Sequence, residues 1–81
     1  MTIQAFDGIE FNPHVNGGEA CIARTRISVW LLEQARRLGT SEAGLLRSYP
    51  TLRAEDLVNA WAYAQTHREE IELQILQNEL A

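Results

Sequence analysis

Residues 40–57 read Thr40-Ser41-Glu42-Ala43-Gly44-Leu45-Leu46-Arg47-Ser48-Tyr49-Pro50-Thr51-Leu52-Arg53-Ala54-Glu55-Asp56-Leu57. Thr40 or Ser41 is placed to cap a short helix running through Ser48, with Leu45 and Leu46 as its apolar side. Tyr49-Pro50 stops that helix, because the residue before a proline is pushed out of the helical region. Thr51 then reads as the cap of a longer helix whose first-turn acids, Glu55 and Asp56, suit the positive end of the helix dipole. A short helix, a tight turn and a longer helix form the pattern that places a second helix in a DNA major groove. Helix pairs of this kind also occur in small all-helical proteins that never touch DNA.

Working outward toward the C-terminus, Leu57, Val58, Trp61, Ala64, Ile71 and Ile75 recur at helical spacing. Neither glycine nor proline occurs between Leu52 and Ala81. One helix of about 25 residues and a helix broken near Gln65-Thr66-His67 are both compatible with that stretch. Toward the N-terminus, Ser28 is placed to cap a helix reaching Leu38, with Trp30, Leu31, Ala35 and Leu38 along one face and Gly39 just past its end. The first 29 residues read as two or three short strands. Ile3–Phe6 and Ile9–Phe11 flank the hairpin signal Asp7-Gly8, and Ala20–Ala23 and Ile27–Val29 are further apolar runs. The expected fold is mainly α: a helix-turn-helix or winged-helix-like domain with a small N-terminal β element over 1–65. A C-terminal amphipathic helix over 66–81 serves as a partner-binding segment.

The chain has 81 residues and 46% apolar composition, a size at which one domain folds alone but marginally and dimerisation is a common remedy. A homodimer is therefore expected. No apolar run reaches the roughly 18 residues needed to cross a membrane. The opening MTIQAFDGIEF has no positive cluster ahead of an apolar stretch, which speaks against a signal peptide. With Cys21 as the one cysteine, these features point to a reducing, cytoplasmic setting. The net charge is −4 but uneven: residues 24–53 carry six arginines against Glu33 and Glu42, and acids dominate on both sides. A basic middle between acidic ends fits a nucleic-acid surface with an acidic partner-binding tail, although a solvated surface gives the same pattern. All seven basic residues are arginine, a planar donor fork suited to phosphate and guanine edges.

Catalytic constellations do not assemble. His14 and His67 are far apart in sequence. His67-x-x-Glu70 has a spacing two metal ligands use, but two ligands do not make a site. Cys21 sits in an apolar run and reads as core, and without lysine there is no phosphate-binding Gly-rich loop of the Gly-Lys type. Trp30, Trp61 and Tyr63 read as core or interface residues, with Trp61 packing inward from the apolar stripe. Neither a cofactor nor a metal is expected, and the chain reads as a binding protein rather than an enzyme.

The stretch Gly17-Gly18-Glu19-Ala20-Cys21-Ile22-Ala23-Arg24-Thr25-Arg26-Ile27 resembles the signature of domain-of-unknown-function family 433. So do Leu38-Gly39-Thr40-Ser41-Glu42, Tyr49-Pro50 with Leu52, and Ala60-Trp61-Ala62-Tyr63-Ala64. The resemblance spans about residues 9–66. Two positions depart from it: Ala20 stands where that family usually has proline, and Arg24 where it usually has glycine, a residue that often serves a positive φ. The resemblance implies a winged-helix-like or helix-turn-helix antitoxin of a type II toxin–antitoxin pair. Such an antitoxin dimerises, binds its own operator DNA and blocks a PIN-like ribonuclease toxin with a C-terminal segment.

On that reading, Arg26 of Thr-Arg-Ile is a phosphate contact, or else Thr25 and Arg26 tie the strands to the helices. Arg47 and Arg53 flank the turn, where phosphate contacts fall. Thr51, Arg53 and Asn59 reach DNA from the second helix, against the repulsion of Glu55 and Asp56. Arg36-Arg37 is a second basic pair. The toxin-binding anchors are Ile71, Leu73, Ile75, Leu76 and Leu80, unless that segment packs on its own domain or on a dimer mate. The rivals are a stand-alone transcriptional regulator and a protein-interaction module without DNA binding.

Overall fold

Gly8 has φ +74°, the left-handed conformation that lets Asp7-Gly8 reverse the chain in two residues. That turn joins β1 (Ile3–Phe6) to β2 (Ile9–Phe11) in an antiparallel pair. The computed structural model describes residues 3–81, with side chains from Phe6 onward. A single 3-10 turn, Asn16–Gly18, then delivers β3 (Ala20–Ile22) to the other edge of β2, giving a three-stranded sheet of order β1-β2-β3. Ile9 pairs with Ile22 and Phe11 with Ala20, and all three residues of β3 are buried.

Four helices follow: α1 (Val29–Arg37), α2 (Glu42–Ser48), α3 (Ala54–Thr66) and α4 (Arg68–Leu80). The chain is mainly helical with a small N-terminal sheet, as its punctuation predicts. Gly39, at φ +100°, donates its N–H to the Arg36 carbonyl, and Thr40 N–H reaches the Ala35 carbonyl. These two bonds satisfy the last carbonyls of α1. The fully buried residues of α1 are Val29, Leu32 and Glu33; of the expected line Trp30, Leu31, Ala35 and Leu38, Trp30 and Ala35 pack against the core while partly exposed, and Leu38 is 80% exposed. The reason is Glu33. Its buried carboxylate takes Arg36 (2.6 Å) and Arg37 (2.9 Å) from the following turn, so a charged residue occupies a core-facing position.

Ser41 caps α2 through a 3.1 Å bond from Gly44 N–H. Thr51 does not cap α3. The helix begins at Ala54, and the Asp56 carboxylate reaches back 2.9 Å to the backbone N–H of Arg53. The inward stripe of α3 is Leu57, Ala60, Tyr63 and Ala64. Val58 is 66% exposed, and Trp61 is half-buried, packed against the edge of the core. The Trp61 indole N–H bonds Glu42 at 2.8 Å, and the Arg36 guanidinium lies 4.4 Å above its ring.

The helix breaks at His67, where φ is −128° and ψ 45°. Thr66 Oγ1 donates to the backbone carbonyls of Ala62 (3.0 Å) and Tyr63 (3.2 Å), and His67 Nδ1 stands 3.1 Å from the latter. Side chains thus occupy the carbonyls of the last turn, which ends a helix without glycine or proline. The break lets α4 pack along α1, where Ile71 and Ile75 enter the core with Leu32, Leu57 and Tyr63. Segment 66–81 is accordingly built into the same core as the rest of the chain. Among the described residues no helix is long and apolar enough to cross a membrane.

Candidate nucleic-acid interface

The β3–α1 connection is a braced turn. Ile22 N–H donates to the Ile27 carbonyl (2.9 Å), Cys21 and Ser28 form an antiparallel bridge, and Ala23 N–H bonds Gly8 O at 2.8 Å. Thr25 closes the loop from inside: its hydroxyl donates to Ile22 O (2.8 Å) and accepts from Ile27 N–H (3.0 Å). Asn16 donates to the Arg26 carbonyl (2.6 Å) and to Ser28 Oγ (3.1 Å), and Ser28 in turn donates to Glu19. Trp30 Nε1 meets the same Glu19 oxygen at 2.8 Å. Thr25 and the Arg26 backbone therefore tie strands to helices, while the Arg24 and Arg26 side chains project from the tip as exposed residues.

This tip stands beside the α2–α3 turn. Arg24, Arg26 and Thr51 line one open groove of about 500 Å³. Arg24, Thr51 and Arg53 line a smaller hollow of about 270 Å³ next to it. Three of the expected DNA-binding residues, Arg26, Thr51 and Arg53, thus gather around Arg24. Sequence reasoning did not assign Arg24 to the site; its signal was an arginine where the resembling family keeps glycine. Arg47 is exposed on the last turn of α2 and lines neither hollow.

Asn59 stands away from these hollows. It is half-buried against the hairpin turn, so close that a β-carbon on Gly8 would lie 2.3 Å from its Nδ2. It serves packing between α3 and the sheet. Arg36 and Arg37 are bound to Glu33, and Arg37 also approaches Glu72 at 3.6 Å. Arg53 lies 3.7 Å from Asp56, which is itself buried as the backbone cap. Among the described residues, Arg24, Arg26 and Arg47 are in no ion pair.

The expected partner-binding residues divide. Ile71 and Ile75 are buried against α1, so neither is free to anchor a partner. Leu73, Leu76 and Leu80 are exposed, and their 3- and 4-residue spacing makes one stripe. Leu38 and Leu76 face across a groove of about 470 Å³ that Glu72 and Glu79 also line. Leu38 belongs to this apolar patch, a role hidden while it was read as inner helix face. The His67–Glu70 spacing is taken by packing: Tyr63 donates its hydroxyl to Glu70 at 2.8 Å, and His67 stacks on the Tyr63 ring. Among the described residues no group of three or more His, Cys, Asp or Glu could hold a metal.

The family described as "Protein of unknown function (DUF433)" matches residues 9–64. The crystal structure of a DUF433 member protein from Anabaena variabilis is similar at a TM-score of 0.83 and 43% identity, over 85% of this chain and 68% of that one. No curated protein matches the chain.

Proposed function

The chain belongs to the DUF433 family, and from that membership and the two surfaces described above we propose that it is the antitoxin of a type II toxin–antitoxin pair. It binds its operator DNA through the α2–α3 helix-turn-helix and neutralises a PIN-like ribonuclease through the outer face of α4. The observation that carries the reading is the partition of the arginines. Arg36 and Arg37 are held by acids elsewhere, while Arg24 and Arg26, in no ion pair among the described residues, stand beside Thr51 and Arg53 at the helix-turn-helix. A local basic site of this kind attracts phosphate even on a chain of net charge −4.

The toxin-binding part is supported by the exposed Leu38, Leu73, Leu76 and Leu80 beside Glu72 and Glu79. Such a patch suits a groove on a nuclease, whose surface must be basic where it holds RNA. A C₂ homodimer in the cytoplasm would set two copies of α3 about one DNA turn, roughly 34 Å, apart. The overall negative charge favours a second reading, an interaction module that has no DNA activity. The deciding experiment is neutralisation. A PIN-like ribonuclease recovered by co-purification with the chain from its native host is titrated with the chain, and stoichiometric loss of RNA cleavage is the expected result. Undiminished cleavage at saturating chain overturns the antitoxin reading.

A further inference from the structure

Among the described residues two non-glycine residues have positive φ, Asn16 at 51° and Arg24 at 65°. Asparagine tolerates that region because its short amide bonds locally. Here the Asn16 amide bonds the Arg26 carbonyl at 2.6 Å. Arginine has no such compensation, and its β-carbon crowds the backbone there. The turn nevertheless fixes Arg24 in place. Its backbone N–H is held by Glu10 Oε1 at 2.7 Å, and its neighbours Ala23 and Thr25 are hydrogen-bonded to Gly8 and Ile22. A backbone outlier held by so many bonds is a reason to look for what the side chain does.

The surroundings answer that question. Arg24 lines both hollows, joining Arg26 on one side to Arg53 on the other, with Thr51 common to both. Its guanidinium is in no ion pair among the described residues. Glu10, the acid that shares the groove, already accepts the Arg24 backbone N–H. We propose that Arg24, held in the left-handed region at the tip of the β3–α1 turn, is a binding residue for the backbone phosphate of duplex DNA, working with Arg26 beside the start of α3. The inference rests on the nucleic-acid part of the reading above and adds a residue outside the helix-turn-helix itself. Because the ligand is phosphate and not a base edge, the contact is independent of DNA sequence.

The test uses the full chain and a short duplex of arbitrary sequence, with affinity measured as salt is varied. Arg24→Gly removes the guanidinium and suits the backbone, so the variant should melt at or above the wild-type temperature. Its binding should weaken, and the slope of log affinity against log salt should fall by about 0.9. The wild-type advantage then shrinks roughly 3.5-fold between about 50 and about 200 mM salt. Arg24→Lys keeps the charge and should keep the slope. If the wild type binds and Arg24→Gly binds with the same slope, this inference falls while the nucleic-acid reading stands. The inference also falls if Arg24→Gly melts below the wild type, since Arg24 would then be serving the fold. A wild type that binds no duplex at low salt overturns both.

Discussion

The imidazole of His67 lies flat on the phenol ring of Tyr63, with centroids 3.9 Å apart and planes 3° from parallel. Phe6 meets both rings edge-on, at 5.4 Å and 6.0 Å. The stack sits where α3 gives way to α4, and the Tyr63 hydroxyl continues across the break to Glu70 at 2.8 Å. One residue of α3 thus braces the junction with its ring and with its hydroxyl.

Burial, reinforced by the hydrogen bond and the charge of Glu70, raises the Tyr63 pKa far above the ordinary phenol value. The stability this group contributes is complete below the unfolded value of about 10. Above that pH the unfolded chain ionises Tyr63 and the folded chain does not, so stability falls as pH rises toward the folded value. Tyr63→Phe should cost about 1 kcal/mol at neutral pH and should flatten that alkaline decline. Urea midpoints across the alkaline range give the answer; an equally steep decline in the variant would assign it to other groups.

Ile75 and Leu76 are adjacent on α4 yet should behave oppositely. Ile75→Ala opens a cavity under α1 and should cost about 2–4 kcal/mol. Leu76→Ser and Leu73→Ser alter only exposed positions and should stay within about 0.5 kcal/mol of wild type. Deleting residues 69–81 removes Ile71 and Ile75 together. The shortened chain should lose its cooperative melting transition, and a folded, sharply melting truncation would contradict the packing of α4.

Gly8→Ala faces two costs: a β-carbon at φ +74° and a 2.3 Å approach to Asn59. The expected loss is about 1–3 kcal/mol. Asn59→Ala relieves the contact but not the backbone conformation, so the double variant should recover part of the loss. Full additivity of the two single losses in thermal melts would mean that the contact contributes nothing.

Arg53→Ala should leave α3 intact, because Asp56 caps the backbone N–H of residue 53 and not its side chain. Combined with Arg47→Ala, it should weaken DNA binding with the melting temperature preserved. Each lost phosphate contact should lower the salt slope by about 0.9. Arg53 shares its hollow with Arg24 and Thr51 while Arg47 stands apart, so Arg53 should supply the larger part. Unchanged binding by the double variant would sink the assignment of this face.

The punctuation of this fold was legible because it is local. Asp7-Gly8, Gly39, Ser41 and Tyr49-Pro50 each act within a few residues of themselves, and the hairpin, the end of α1, the start of α2 and its stop fall where they predict. Facing was less legible. Glu33 is buried only because two arginines accompany it, and that displaced the inner face of α1 from the one hydropathy drew. The break at His67 comes from the Thr66 hydroxyl taking backbone carbonyls, a competition that composition does not announce. The nearness of Thr51 and Arg53 follows from the turn itself, whereas their gathering with Arg24 and Arg26 needs the fold. The closeness of Asn59 to Gly8 was not legible, because Gly8 lies near the other end of the chain. The anchors of α4 split into Ile71 and Ile75 inside and Leu73, Leu76 and Leu80 outside only once the fold-back onto α1 is known.

That fold-back bears on how the protein is born. During synthesis, a chain made only as far as Thr66 has Val29, Leu32 and Tyr63 in place but lacks Ile71 and Ile75. Without them, the surfaces of Leu32, Leu57 and Tyr63 that share their core are left without part of their cover. A chain ending at Thr66 should therefore be digested faster than residues 1–81, which limited proteolysis of the two checks. Loss of α4 is thus expected to raise protease sensitivity in the elements that pack on it, α1 and α3.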